Sequence, residues 1–201
     1  MTIGRFKHTV CLYLIRGARG RADYCKKHHL YHQIGSNCSI QSRSVPLFSQ
    51  LISIHDNVHL ASGVSFITHD IVHRMVNNTV VDDQKIGEYV GCIEIMDNVF
   101  VGAGVRIMYN TRIGENCVIG AGSVVTKDLA PNGVYAGVPA HYICSFSDFV
   151  SRRKRMDEEL RVLLGGQTEG GARSLNQHID EQSVERLWRH FAEEKYGSSK
   201  D

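Results

Sequence analysis

From Ile95 to Ala130 the chain divides by six, as IMDNVF VGAGVR IMYNTR IGENCV IGAGSV VTKDLA. The first column holds Ile95, Val101, Ile107, Ile113, Ile119 and Val125, all aliphatic, and the fifth holds Val99, Val105, Thr111, Cys117, Ser123 and Leu129, mostly small or β-branched. The same register runs upstream in IHDNVH LASGVS FITHDI, with Ile54, Leu60 and Phe66 in the first column, and in IGSNCS IQSRSV, with Ile34 and Ile40. Two breaks interrupt it. Ile40 and Ile54 stand fourteen residues apart, two more than two hexads, and Phe66 and Ile95 stand twenty-nine apart, five more than four.

A hexad supplies one short strand and one tight turn, and self-similarity at a fixed short period marks stacked coils rather than a sandwich. The first-column residue points inward and the small fifth residue fits a narrow corner. Gly or Asn at the turns, in GEN, GAG, MDN, GSN and HDN, tolerates positive φ. Three such sides close a coil, and coils stack about 4.8 Å apart through backbone bonding. The pattern predicts an all-β parallel β-helix of triangular section over residues 34–146. A small bulge around VPLFSQ and a polar insertion of residues 70–92 then leave the prism, the second as a projecting loop.

Past GVYAGVPAHYI the period stops. Residues 151–201 hold 20 of the 44 Lys, Arg, Asp and Glu, in two stretches of helical spacing. Phe149, Val150, Met156, Leu160, Leu163 and Leu164 share one face of the first, and Val184, Leu187, Trp188 and Phe191 one face of the second. The segment 147–201 therefore reads as a helical extension serving packing or oligomerisation, with GGQTEGGARS as a flexible link.

Charge adds an asymmetry that the net +2 conceals, since residues 1–33 carry seven Lys or Arg against the single acid Asp23. This basic N-terminal arm reads chiefly as solvated helix packing a few apolar residues on the main domain, with weak contact to an anionic membrane surface as the alternative. Its longest apolar run, TVCLYLI, is far short of the roughly 20 residues that span a bilayer. Cys11, Cys25, Cys38, Cys92, Cys117 and Cys144 form no CxxC pair, and nothing at the N-terminus reads as a secretory signal, so reduced thiols in a cytoplasm are expected.

Residues 30–146 resemble the hexapeptide-repeat acyltransferases: galactoside and maltose O-acetyltransferases and, nearest, the bacterial capsular or exopolysaccharide branch. FITHD before a long insertion, IEIMDNVFVGAGVRIM, IGENCVIGAGSVVTKDLAPNGVYAGVPA and the basic lead-in RGARGRADYCKKHHLYHQIGSNC carry the resemblance. It implies a left-handed helix, whereas ordinary parallel crossovers are right-handed. It also implies a homotrimer with active sites between subunits, acetyl-CoA as co-substrate, no metal in the chemistry and no nucleic-acid partner.

Acetyl transfer from a thioester to a hydroxyl or amine needs a base for the acceptor's proton and donors for the developing oxyanion. An imidazole suits the base near neutral pH. Resemblance gives that part to His69 in FITHD, with Asp70 as a possible support if the chain has already turned there. His73 is the rival base or a substrate-lining residue, while His55 and His59 are expected on the surface. For acetyl-CoA the resemblance points to Ala103 and Ala121, small beside a pantetheine arm, and to Thr126 and Lys127 at the nucleotide end.

Three departures stand out. SIQSRSV offers no counterpart to the site asparagine of the galactoside enzymes. His141 replaces the basic residue after GVPA, with Arg152, Arg153 or Lys154 as substitutes, and Ile71 and Val72 replace two loop glycines. The expected activity is O-acetylation of a sugar or glycan, with N-acetylation of a nucleotide-linked amino sugar as the close variant. A zinc-dependent γ-class carbonic anhydrase drawing on His55, His59, His69 and His73, or a non-catalytic scaffold, are the rivals of another class.

Overall fold

A computed structural model describes residues 3–79, 85–164 and 180–197, which fall in two compact units, Met1–Ser147 and Asp148–Asp201. In the first unit the hexads become three sheets. One side carries β1 (Gln33–Ile34), β3 (Ile52–Ile54), β6 (Ile93–Ile95) and β9 (Thr111–Ile113) in parallel. The second carries β2 (Ser39–Ile40), β4 (His59–Leu60), β7 (Val99–Val101), β10 (Cys117–Ile119) and β12 (Gly133–Ala136), closed by the antiparallel β13 (His141–Ser145). The third has only β5 (Ser65–Ile67), β8 (Arg106–Met108) and β11 (Val124–Val125).

Both sequence columns point inward as expected. First-column Ile95, Val101, Ile107, Ile113, Ile119 and Val125 are fully buried, and so are Val99, Val105, Thr111, Cys117, Ser123 and Leu129 of the fifth column or nearly so. The fifth column tolerates polar atoms because each meets a turn carbonyl. Thr111 Oγ1 donates to Met108 O at 2.6 Å and Ser123 Oγ to Gly120 O at 2.6 Å. Phe66 packs against the core but stays partly exposed, because the first coil has no strand beneath it on the third side. In its place lie residues 42–48 and a short 3-10 turn, Ser49–Leu51.

One corner is built from asparagine. Asn37, Asn57, Asn98, Asn116 and Asn132 all adopt φ between 53° and 62°, the left-handed region that Asn tolerates better than most residues. Their side chains form a ladder. Asn37 Nδ2 donates to Asn57 Oδ1 (2.7 Å), Asn57 to Asn98 (2.9 Å), Asn98 to Asn116 (3.0 Å) and Asn116 to Asn132 (2.8 Å). Each rung ties one coil to the next.

The chain departs from an all-β protein in having five helices among the described residues. At the N-terminus α1 (Ile3–Leu14) and α2 (Ala18–Lys27) join the same compact unit and the same core, with Leu12, Ala22 and Cys25 buried beside Leu30, Tyr31 and Ile34. Arg21 explains one basic residue of this arm. It is buried, donating from Nε to Ile40 O (2.9 Å) and from Nη1 to Ile15 O (2.7 Å) and Arg16 O (3.1 Å). The cation thus caps the negative end of α1 and pins it to β2.

In the projecting insertion α3 spans Val72–Thr79, where only a loop was expected. The signal was present: Val72, Met75, Val76 and Thr79 repeat at helical spacing behind Asp70, whose Oδ1 accepts from Val72 N at 3.1 Å. Asn77 then holds the returning chain, donating to Ile86 O (2.8 Å) and accepting from Ile86 N (3.0 Å).

Two further helices follow, α4 (Phe146–Leu163) and α5 (Glu181–Tyr196), and GGQTEGGARS lies outside the described residues. Asp180 caps α5, accepting from Ser183 N at 2.7 Å. No described helix is long and apolar enough to cross a membrane.

Candidate active site at the neck of the insertion

The insertion leaves and rejoins the prism through a short antiparallel neck. His69 stands opposite Val90 in an isolated bridge, framed by Asp70 N donating to Tyr89 O (3.1 Å) and Gly91 N to Thr68 O (2.9 Å). His69 is half-buried, and its Nδ1 is buried with no hydrogen-bond partner. Such an atom is costly unless something beyond the chain satisfies it.

The small bulge, read from sequence only as a break in the repeat, forms a wall of this site. Because it replaces the third-side strand of the first coil, it lies directly under β5. Phe48, held at φ 52°, places its ring edge-to-face against the His69 imidazole at 5.0 Å, and Leu47 O accepts from Thr68 Oγ1 at 3.0 Å. Thr68 is fully buried, so the residue before the histidine is fixed.

Asp70 does not bond to His69. One carboxylate oxygen caps α3 and the other accepts from Tyr109 Oη at 3.0 Å. That bond, with burial adding to it, pushes the Tyr109 phenol above its ordinary range. Tyr89 packs against Tyr109 at 5.0 Å between ring centres, and its hydroxyl accepts from Asn110 Nδ2 at 2.6 Å.

The cofactor candidates separate into two places. Thr126 and Lys127 are exposed and follow β11, so the third side's register, Ile67 with Met108 and Phe66 with Ile107 and Val125, sets them on the edge where His69 lies. Ala103 and Ala121 are exposed on the opposite edge of that side. They stack there above Ser62, with Gly104 N donating to Ser62 O (2.9 Å) and Gly122 N to Ala103 O (2.8 Å). One chain therefore carries both halves of the expected site but does not bring them together.

Neither His55 nor His59 is a free surface residue. His59 contacts Ser39 Oγ (2.9 Å) and Asn57 Oδ1 (3.2 Å), and desolvation with nearby Arg19 lowers its pKa. His55 Nε2 meets Glu94 Oε1 at 3.1 Å, and Arg112 Nε donates to Glu94 Oε2 at 2.6 Å. His73, on α3, has a buried Nδ1 without a partner. His141 is exposed, its Nδ1 3.4 Å from Pro139 O. Among the described residues no three His, Cys, Asp or Glu side chains are grouped as metal ligands.

The Glu94 cluster gives a pH prediction. Burial pushes the carboxyl up, but Arg112 and His55 outweigh it and hold the pKa below the usual range. A depressed carboxylate adds stability above its unfolded pKa of about 4.3 and loses it as pH falls through the folded value. In urea titrations from pH 6 down through the acid range, wild type should lose up to about 1 kcal/mol that Glu94→Gln does not lose. Parallel pH profiles for the two proteins would contradict this.

Parallel coils built from hexads, an asparagine-lined corner and a histidine at the neck of an insertion define a hexapeptide-repeat protein. The bacterial transferase hexapeptide (six repeats) family matches residues 93–127. It is similar to the galactoside O-acetyltransferase of Escherichia coli (strain K12), 61% identical over 36 residues, which are 18% of each chain. It is also similar to the 2,3,4,5-tetrahydropyridine-2,6-dicarboxylate N-acetyltransferase of Limosilactobacillus fermentum, 42% identical over 45 residues, 22% of this chain and 19% of that one. The aligned segments thus span about a fifth of these curated relatives. In fold, the chain resembles a hexapeptide-repeat acetyltransferase of Vibrio cholerae solved with acetyl coenzyme A (TM-score 0.54, 20% identity, 71% of this chain and 85% of that one). The repeat and this likeness imply a left-handed β-helix.

Proposed function

We propose that the protein is an acetyl-CoA-dependent O-acetyltransferase acting on a sugar or glycan hydroxyl. The observation that carries the reading is His69 at the neck of the insertion, with its buried Nδ1 unpartnered, on a repeat shared with acetyltransferases. Acetyl-CoA supplies the acetyl thioester. The acceptor oxygen attacks the thioester carbonyl while His69, through its less buried Nε2, takes the hydroxyl proton. The carbon–sulfur bond breaks, and the proton passes to the departing thiolate. Transfer is direct, in a ternary complex.

The residues present fit such a donor. Ala103 and Ala121 leave an open, methyl-lined corner for a slender pantetheine arm, and exposed Lys127 offers a cation for phosphate. The two edges of one chain are complementary halves, so a homotrimer that sets the His69 edge of one subunit beside the Ala103 edge of its neighbour completes the site. Exposed Ile71, Val72, Met75, Ile86 and Val90 on the insertion support such a neighbour.

The test is release of free thiol from acetyl-CoA across a panel of hydroxy sugars, amino sugars and nucleotide-linked amino sugars. Turnover with hydroxyl acceptors is expected. Turnover confined to amines would make the protein an N-acetyltransferase, and none with any acceptor would leave the scaffold.

A further inference from the structure

In an antiparallel pair, residues directly opposite share a face and successive residues alternate. His69 and Val90 therefore present one face of the neck, while Asp70 and Tyr89 present the other with buried Thr68. The second face is fastened to the next coil at both strands. Asp70 accepts from Tyr109 Oη, and Tyr89 accepts from Asn110 Nδ2 while packing on the Tyr109 ring. Asn110 N in turn donates to Cys92 O at 2.7 Å, which ties the exit of the insertion to the same corner.

Among the described residues His69 has no side-chain hydrogen bond to hold its ring; Phe48 contacts one side and Nδ1 has no partner. We infer that Tyr109, through Asp70, is the positioning residue that orients His69: the latch fixes the neck from behind and so aims the imidazole on its opposite face. This rests on His69 being the base. It gives Asp70 a part in the site that differs from direct bonding to the imidazole. The latch is chemical as well as steric, since the ionised Asp70 strengthens the hydroxyl bond it accepts.

The inference is tested with Tyr109→Phe, which keeps the ring and removes the bond. The expected result is a fall in kcat of about 10- to 100-fold, the range for a misaimed catalytic group, with the KM for acetyl-CoA unchanged. Hydrogen exchange at the Asp70 and Gly91 amides, which close the neck, should quicken. Asp70→Asn, whose single amide oxygen can keep the bond from Val72 N while its Nδ2 donates to the Tyr109 hydroxyl oxygen, should retain turnover that Asp70→Ala loses. Faster exchange with wild-type kcat would overturn the positioning role, as would unchanged exchange and unchanged kcat together. The base assignment fails separately: full turnover by His69→Ala contradicts it whatever the amides of Tyr109→Phe report.

Discussion

His69→Ala should lose about 10²- to 10⁴-fold in kcat on the best acceptor, the contribution usual for a positioned general base. The fold should not change, because His69 is half-buried, donates no side-chain hydrogen bond and lies outside the buried core. Removing its ring leaves Phe48 without an edge-to-face partner but opens no interior cavity. The KM for acetyl-CoA should move little, since the contacts proposed for the donor are Ala103, Ala121 and Lys127 rather than His69. The measurement is steady-state turnover against acetyl-CoA concentration, with circular dichroism and a thermal melt as controls. Full turnover in a folded His69→Ala protein would remove it from the chemistry. His73→Ala is then the variant to examine, being the other histidine with a buried, unpartnered nitrogen.

For stability, a large effect is expected at Gly102. Its amide donates to Ile119 O of the following coil at 2.9 Å, and a Cβ there would lie 2.6 Å from Ala121 N and 2.7 Å from Ile119 O. Both obstacles are backbone atoms, so no side chain can swing aside, and coils stacked at about 4.8 Å must part. Gly102→Ala should cost at least about 3 kcal/mol, the upper end for overpacking, and lower the urea midpoint accordingly. Gly104 gives the contrast. Its φ of 71° strains any other residue, but nothing lies within 4 Å of an added Cβ, so Gly104→Ala should cost only about 1–2 kcal/mol. Equal losses for the two would mean that the coils yield more easily than their bonding suggests.

The prism was legible because its determinants are local and repeated. A hexad specifies its own strand, corner and inward residue, and Ile95 predicts Val101 and Ile107 without reference to distant chain. The basic arm was less legible. Seven positive charges suggest solvent, whereas Arg21 is buried on carbonyls from α1 and β2, a partnership between distant segments that no spacing reveals. In the insertion, polar composition hid the amphipathic spacing of α3.

The site divided the same way. FITHD pointed to His69 as the candidate base, but Phe48 and Leu47 came to its neighbourhood through a missing strand one coil below, and Tyr109 through the next coil above. The register that unites them is a property of stacking. Asp70 was readable as a carboxylate next to the histidine, and strand alternation already argued that it faces away; the structure supplies the partner it faces.

The asparagine corner also bears on how the protein ages. An asparagine deamidates when the next residue's amide nitrogen attacks its side-chain carbonyl, and glycine in that next position hinders the attack least. Of the five asparagines only Asn132 precedes glycine, in Asn132–Gly133. It also ends the ladder, accepting from Asn116 and donating to no other asparagine among the described residues. A carboxylate at Asn132 would still accept that bond, whereas one at Asn57, Asn98 or Asn116 would set two acceptors against each other. The most perishable amide of the ladder thus stands where its loss breaks no rung.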